Sequence, residues 1–389
     1  MLTHDDILAA LQGEFPSGGL GQPPDGVLLV ARLREPGLGM SDPTPYVFIP
    51  DIHLAPAADS RSFPWVTARD SQVELLTRLA ELLGRLRGRD PSLMVWQLGD
   101  CFDLWRTDGV GGDPEADVAA TQAAHGPLFS ALFGHAGARL LAGNHDQELV
   151  DFPLPGGPQA MNTIFLDRPG GTADTFLAHG HQFDPLEALP RKFKEFFARG
   201  ATELVPPTAR SMLEAANPHW KPEPVTTPPP HRPSDANQFL HFGLRRDNPV
   251  PLLADAVNVV PYVPVRDPAK AFIDSFGGGG RKPTVDGPRQ TFFTDIAWYA
   301  QQMSSPGGKD VRLVAIGHTH RARIVRGKRP DGTLFVLMDC GAWVGTSFLS
   351  DELDAPIANG QIGVKVGDEI RIYQLGYTER KAETETFDT

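Results

Sequence analysis

Five times along this chain a strand-length apolar run stops at a cluster of Asp, Asn, His and Gly, and that recurrence constrains the fold more than any other feature. Tyr46-Val-Phe-Ile49 leads into Asp51-Ile-His53, and Leu93-Met-Val-Trp-Gln-Leu98 leads into Gly99-Asp-Cys-Phe-Asp103. Arg139-Leu-Leu-Ala142 leads into Gly143-Asn-His-Asp146, Thr175-Phe-Leu-Ala178 into His179-Gly-His181, and Leu313-Val-Ala-Ile316 into Gly317-His-Thr-His320. Nearly continuous apolar character over four to six residues is how strands covered on both faces read. The polar cluster after each run predicts a loop at a strand end.

Helical spacing alternates with these runs. Val73, Leu76, Leu79, Leu83 and Leu86 predict a helix from about Ser71 to Arg87, and Phe292, Ile296, Tyr299 and Met303 predict another over Thr291 to Met303. Strands and helices in alternation argue an α/β core whose ligands sit at the C-terminal strand edge. Thr333 to Met338, Ile362 to Val366 and Glu369 to Tyr373 read as further strands, the last two turning at Gly367-Asp368. They complete the sheet or build a second one packed on the first.

With 389 residues, length alone predicts two to three domains or one elaborated domain. Residues 1–44 read as an extension packed on the core, with a capping box from Thr3 to Asp6 and an apolar run Val27-Val30. Residues 45–375 form the main domain, interrupted over 183–290 by a proline-rich insertion or lid, and residues 376–389 a polar tail. The insertion opens with an amphipathic segment, Leu189 to Leu204. It reads as a helix packed on the core with a basic solvated face, or as one that covers substrate or touches a membrane. Gly277 to Gly280 do not fit phosphate-loop spacing and read as a linker.

Charge and cysteine content exclude several classes. A net charge of -12 opposes general adhesion to nucleic acid or anionic membranes. Two cysteines, Cys101 and Cys340, are too few for a disulfide framework or a structural zinc site, and read as small packing residues. The first residues lack a leader pattern and no stretch approaches ~18 apolar residues, so the expected location is cytoplasmic, with no transmembrane segment.

Short motifs occur by chance, but five in order at strand ends do not read as chance. Carboxylate and carboxamide oxygens mixed with imidazole nitrogens suit Mn, Fe or Zn, and the set suffices for two ions if one carboxylate is shared. Asp-x-His, Gly-Asp-x-x-Asp, Gly-Asn-His-Asp, His and Gly-His-x-His, taken together, resemble the calcineurin-like metallophosphoesterase family over roughly Tyr46 to His181 and Val311 to Val344. The resemblance implies a sandwich of two mixed β-sheets flanked by helices, with two divalent metal ions, manganese favoured, on loops at the strand ends.

Carried over by motif, Asp51, His53 and His320 bind the first ion, Asp100 bridges both, and Asn144, His179 and His318 complete the second site. His181 is the alternative to His179. By the same resemblance His145 contacts the phosphoryl group or protonates the leaving group, with Asp146 orienting its imidazole, while Asp103 is a supporting partner or loop anchor. The resemblance implies hydrolysis of a phosphomonoester, phosphodiester or pyrophosphate on a small-molecule or lipid-linked substrate. A lipid pyrophosphatase similar to UDP-2,3-diacylglucosamine hydrolases is an alternative, since the segment after His179-Gly lies where those enzymes carry a lipid-gripping insertion. They typically have Gly-Asn-Arg-Asp where this chain has Gly-Asn-His-Asp. A catalytically silent scaffold of the same fold is the alternative from a different class.

Overall fold

The computed structural model describes residues 1–16, 26–34, 40, 42–55, 68, 70–104, 114–150, 152–166, 174–181, 296, 300, 304, 310–320, 322–329, 331–344 and 360–375. The chain divides into two compact units, Met1–Gly180 with Gly307–Thr389, and His181–Pro306. In chain order the first unit holds α1 (His4–Glu14), β1 (Val27–Arg34), β2 (Tyr46–Ile49), α2 (Asp70–Arg89), β3 (Met94–Gln97), α3 (Pro114–Ala124) and α4 (Gly126–Phe129). A π-helical turn, Ser130–His135, continues α4 and is followed by β4 (Arg139–Leu140), β5 (Thr163–Leu166) and β6 (Thr175–Ala178). After the second unit come β7 (Leu313–Ile316), β8 (Ala322–Lys328), β9 (Leu334–Cys340), β10 (Gln361–Val366) and β11 (Glu369–Leu375).

These strands form two mixed sheets, ordered β1-β11-β10-β2-β3-β4 and β5-β6-β7-β9-β8. Within the first, β2, β3 and β4 run parallel, with helices in the crossovers that parallel pairing requires. Within the second, β6, β7 and β9 run parallel between antiparallel edges.

The continuous apolar runs follow from what covers each face. Along β2 and β3, Val47, Ile49 and Val95 join one apolar cluster with Ile7 and Leu11 of α1 and Leu76, Leu79 and Leu83 of α2. Their neighbours Phe48, Trp96 and Leu98 join another with Leu177, Leu313, Ala315, Val336 and Met338 of the second sheet. Period-two alternation therefore places helices on one face and the second sheet on the other. Each fully buried Leu or Phe adds about 1.5–3 kcal/mol over its exposed state, so losing either layer would unbalance the fold.

Helix α2 buries Leu75, Leu76, Leu79, Ala80, Leu82, Leu83 and Leu86 along one stripe, and it ends where Pro91 disfavours helical geometry at Asp90. Its Asp70 and Arg87 oppose the helix dipole at the correct ends. The capping box forms in full: Asp6 N donates to Thr3 Oγ1 at 3.2 Å and Thr3 N to Asp6 Oδ2 at 2.9 Å. β10 and β11 pair from Gln361↔Gln374 to Val366↔Glu369, closing at Gly367 with φ 59°.

Within the extension expected over residues 1–44, α1 and β1 are the described elements. β1 is the edge strand of the first sheet, paired with β11 from Val27↔Leu375 to Arg34↔Glu369. β5, β8, α3 and α4, which the sequence reading leaves out, are also present. Of the helix expected over 291–303, Ile296 and Ala300 are helical and buried. The amphipathic segment 189–204, the remaining insertion residues through 290 and the tail 376–389 lie outside the described residues. No helix among the described residues is long and apolar enough to cross a membrane.

Candidate metal centre

β2, β3 and β4 are parallel neighbours, so the loops that follow them, carrying Asp51 and His53, Asp100 and Asp103, and Asn144 to Asp146, leave the same sheet edge. β6 and β7, also parallel neighbours, deliver His179 and the turn 317–320 from the second sheet. Backbone bonds tie the loops together: Ile52 N and His53 N both donate to Asp100 O, at 3.0 and 2.9 Å, and Gly317 N donates to His179 O at 2.9 Å.

Two glycines allow the close approach. A methyl group on Gly143 would overlap Asp100 Oδ1 and N, and one on Gly317 would overlap Asp51 Oδ1. Each carboxylate thus lies against a backbone that has no side chain in its way.

Among the described residues, the non-glycine positions in the left-handed region are His53 (φ 52°), Asp100 (φ 50°), His318 (φ 69°) and His320 (φ 57°). All four are sequence-predicted ligands. Such conformations cost about 1–3 kcal/mol each and persist where surrounding contacts over-determine them. At His318 those contacts include its own N–H, which meets Asp51 Oδ1 and Oδ2 at 2.9 and 3.0 Å.

Three groups of carboxylate and imidazole donors bring ligand atoms within 4.8 Å of one another: Asp51, His53 and His320; Asp51, Asp100 and His179; and His53, Asp100 and His145. His320 Nε2 stands 3.1 Å from both Asp51 Oδ2 and His53 Nε2. On the other side, His179 Nε2 stands 3.2 Å from Asp100 Oδ2 and 3.1 Å from Asn144 Oδ1. Asp100 Oδ2 also lies 3.6 Å from His53 Nε2, which places one carboxylate oxygen between the two sets. Asp51, His53, Asp100 and His179 are almost wholly buried.

No protein-family model matches this chain, and no curated protein is significantly similar to it. The chemistry of the site therefore rests on its own geometry.

That geometry fits a cation. His179 Nδ1 faces the carbonyl of Leu98 at 2.9 Å and must donate to it, so neutral His179 turns its Nε2 lone pair toward Asp100 and Asn144. Donor atoms that converge with nothing between them repel unless a proton or a metal ion intervenes. Without a metal the proton fills that role. Burial opposes charge on His179, yet Asp100 and Asp51 raise its pKa to about 10. Burial likewise opposes ionisation of Asp51 and Asp100, but the surrounding histidines hold both below the usual carboxylate value, Asp100 well below.

The structure brings Asp51, His53, Asp100, Asn144, His179 and His320 together. His318 enters none of the three groups, although its ring sits 5.2 Å from that of His179. His179, not its alternative His181, supplies the imidazole facing Asp100.

Asp146 differs from expectation. Its carboxylate accepts from Phe102 N at 3.1 Å and Gly143 N at 2.6 Å, so it fastens two ligand loops to each other. Burial and the charge of Asp100 push its pKa up to about 7, against the pull of those bonds. The carboxylate on the imidazole of His145 belongs to Asp103, whose Oδ1 meets Nδ1 at 3.0 Å. Asp146 is engaged by the Phe102 and Gly143 amides, so the sequence neighbour of His145 is not its carboxylate partner. The Gly-Asp-x-x-Asp spacing was the signal for Asp103.

Proposed function

We propose that this chain is a dinuclear metal-dependent phosphoesterase of the calcineurin-like metallophosphoesterase type. It would hydrolyse a phosphomonoester, phosphodiester or pyrophosphate. The observation that carries the reading is Asp100 Oδ2, 3.6 Å from His53 Nε2 and 3.2 Å from His179 Nε2, a single oxygen shared by two donor sets.

Asp51, His53 and His320 would hold one ion, and Asn144 and His179 the other, with Asp100 common to both and His318 beside the second. Two such ions, when bound, activate water as a nucleophile and offset negative charge on the phosphoryl group. In an acidic protein they also create the local positive potential that draws in an anionic substrate.

The protein's own share of the chemistry falls to His145 and Asp103. With Nδ1–H donated to Asp103, Nε2 is the ring nitrogen of His145 that can take up or give a second proton. Its ring stands edge-on to His53, with centroids 4.7 Å apart, at the border of the site. A proton placed on Nε2 can pass to the leaving oxygen, and the Asp103 carboxylate stabilises the imidazolium that precedes transfer.

The test combines elemental analysis with hydrolysis of nitrophenyl phosphate and bis(nitrophenyl) phosphate in the presence of Mn. Two ions per chain and turnover of at least one ester are expected, and Asp100→Ala should lose both the ions and the turnover. Two ions bound with no hydrolysis of any phosphoester would favour a binding scaffold. An Asp100→Ala variant that keeps two tight ions would rule out the shared carboxylate.

A further inference from the structure

Beyond the donor groups, a wholly buried carboxylate on β9 acts on the turn that carries His318 and His320. Asp339 is in register with Ile316, the last residue of β7, and with Arg323 on β8, so it stands where the 317–320 turn departs. Its Oδ2 accepts from Thr319 Oγ1 and, at 3.2 Å, from Arg323 Nε. Thr319 separates His318 from His320, and both histidines are in the left-handed region.

Nothing in the pairing of the second sheet requires this contact. β7, β8 and β9 are joined by backbone ladders and by Leu313, Ala315, Val336 and Met338 in the core. A buried charge needs a counter-charge to be tolerated, and Arg323 supplies it. With Arg323 on the same oxygen, Asp339 is fixed in place and becomes a rigid anchor for the Thr319 hydroxyl. Other ties on the turn include Gly317 N, which donates to His179 O, Thr319 N, which donates to Gly317 O, and His318 N, which donates to Asp51. Of these ties, Thr319 Oγ1 to Asp339 is the one made to the sheet and not within the metal centre or the turn itself.

Building on the metal-centre reading, we infer that Asp339 is a positioning residue. Acting through Thr319 Oγ1, it locks the turn in the strained conformation that brings His320 to Asp51 and His53 and sets His318 beside His179. It touches neither substrate nor metal in this role. Partners one shell removed from metal ligands typically set about 10–100-fold of metal affinity.

The test uses the full chain with Thr319→Val, which removes only the hydroxyl, Thr319→Ser, which retains it, and Asp339→Asn. Mn affinity is measured by competition with a chromogenic chelator, and the melting temperature of each metal-stripped protein is recorded beside it. Thr319→Val should bind Mn roughly 10–100-fold more weakly with an unchanged metal-free melting temperature, and Thr319→Ser should restore wild-type affinity. Wild-type affinity in Thr319→Val overturns the inference. So does a Thr319→Ser variant as weak as Thr319→Val, or a matching drop in metal-free stability, which would indicate general loosening. If Thr319→Val does not fold, Asp339→Asn is read on the same two measurements, with weakened affinity expected and wild-type affinity refuting. Failure of the wild-type chain to bind Mn would remove the metal centre itself, and is distinguishable because no variant is needed to see it.

Discussion

Replacing Gly143 by Ala tests whether the ligand loops are packed as tightly as the site geometry requires. The added methyl group would overlap Asp100 Oδ1 and N and stand 2.6 Å from Asp100 Cγ. Carbon atoms rest about 3.5–4.0 Å apart, so Asp100 must retreat by roughly 1 Å. It cannot do so alone. Its carbonyl accepts from Ile52 and His53, and its Oδ1 accepts from His145 N at 2.8 Å, so three loops shift with it. Overpacking of this kind costs about 1–3 kcal/mol, and a 1 Å displacement at a reacting centre costs on the order of 10²-fold in rate. The expected outcome is a lower urea midpoint, weakened metal binding and loss of turnover together. Gly88→Ala is the control: nothing lies within 4 Å of its added methyl in α2, so it should be neutral or stabilise by up to about 1 kcal/mol. Gly143→Ala with wild-type midpoint and wild-type metal content would refute the packing argument.

Metal binding should release protons. With the His179 pKa raised to about 10 in the metal-free protein, an ion at Nε2 displaces that proton. Affinity should therefore rise about tenfold per pH unit between pH 7 and 9, with about one proton released per chain when calorimetry is run in buffers of different ionisation enthalpy. The same shift sets a stability trend. A folded-state value above the unfolded ~6.5 adds stability that is full below pH ~6.5 and lost as pH rises through about 10, so the metal-free melting temperature should fall over that window. Affinity independent of pH would contradict this assignment. His145→Ala should keep both ions while kcat drops by about 10²–10⁴-fold. Asp103→Asn should give a smaller loss with a displaced pH profile, and loss of an ion in His145→Ala would make that residue a ligand.

Much of the architecture was legible because buried strands and amphipathic helices write their period into the chain. The runs at 46–49, 94–97, 175–178 and 313–316 are strands with every described side chain covered or nearly so, and the Leu stripe of α2 lies where its spacing predicts. β5 and β8 were not legible. β8 is an edge strand, only partly buried, so its pattern is mixed, and α3 is an alanine-rich segment with only Asp117, Val118 and Thr121 buried. β1 reads from sequence as a short apolar run because nothing local announces that β11 will pair with it.

By itself, the order of residues determined which donor types occur and that each follows a strand, since hydrophobic period and motif spacing are local properties. Only the tertiary structure decided that Asp100 Oδ2 stands between two donor sets, that Asp103 and not Asp146 holds His145, and that Asp339 reaches Thr319 from another strand. Those pairings depend on loop direction and on parallel register between strands far apart in the chain. Neither is encoded within a short window, because both arise when covered sheet faces pack and carry the loops to a common edge.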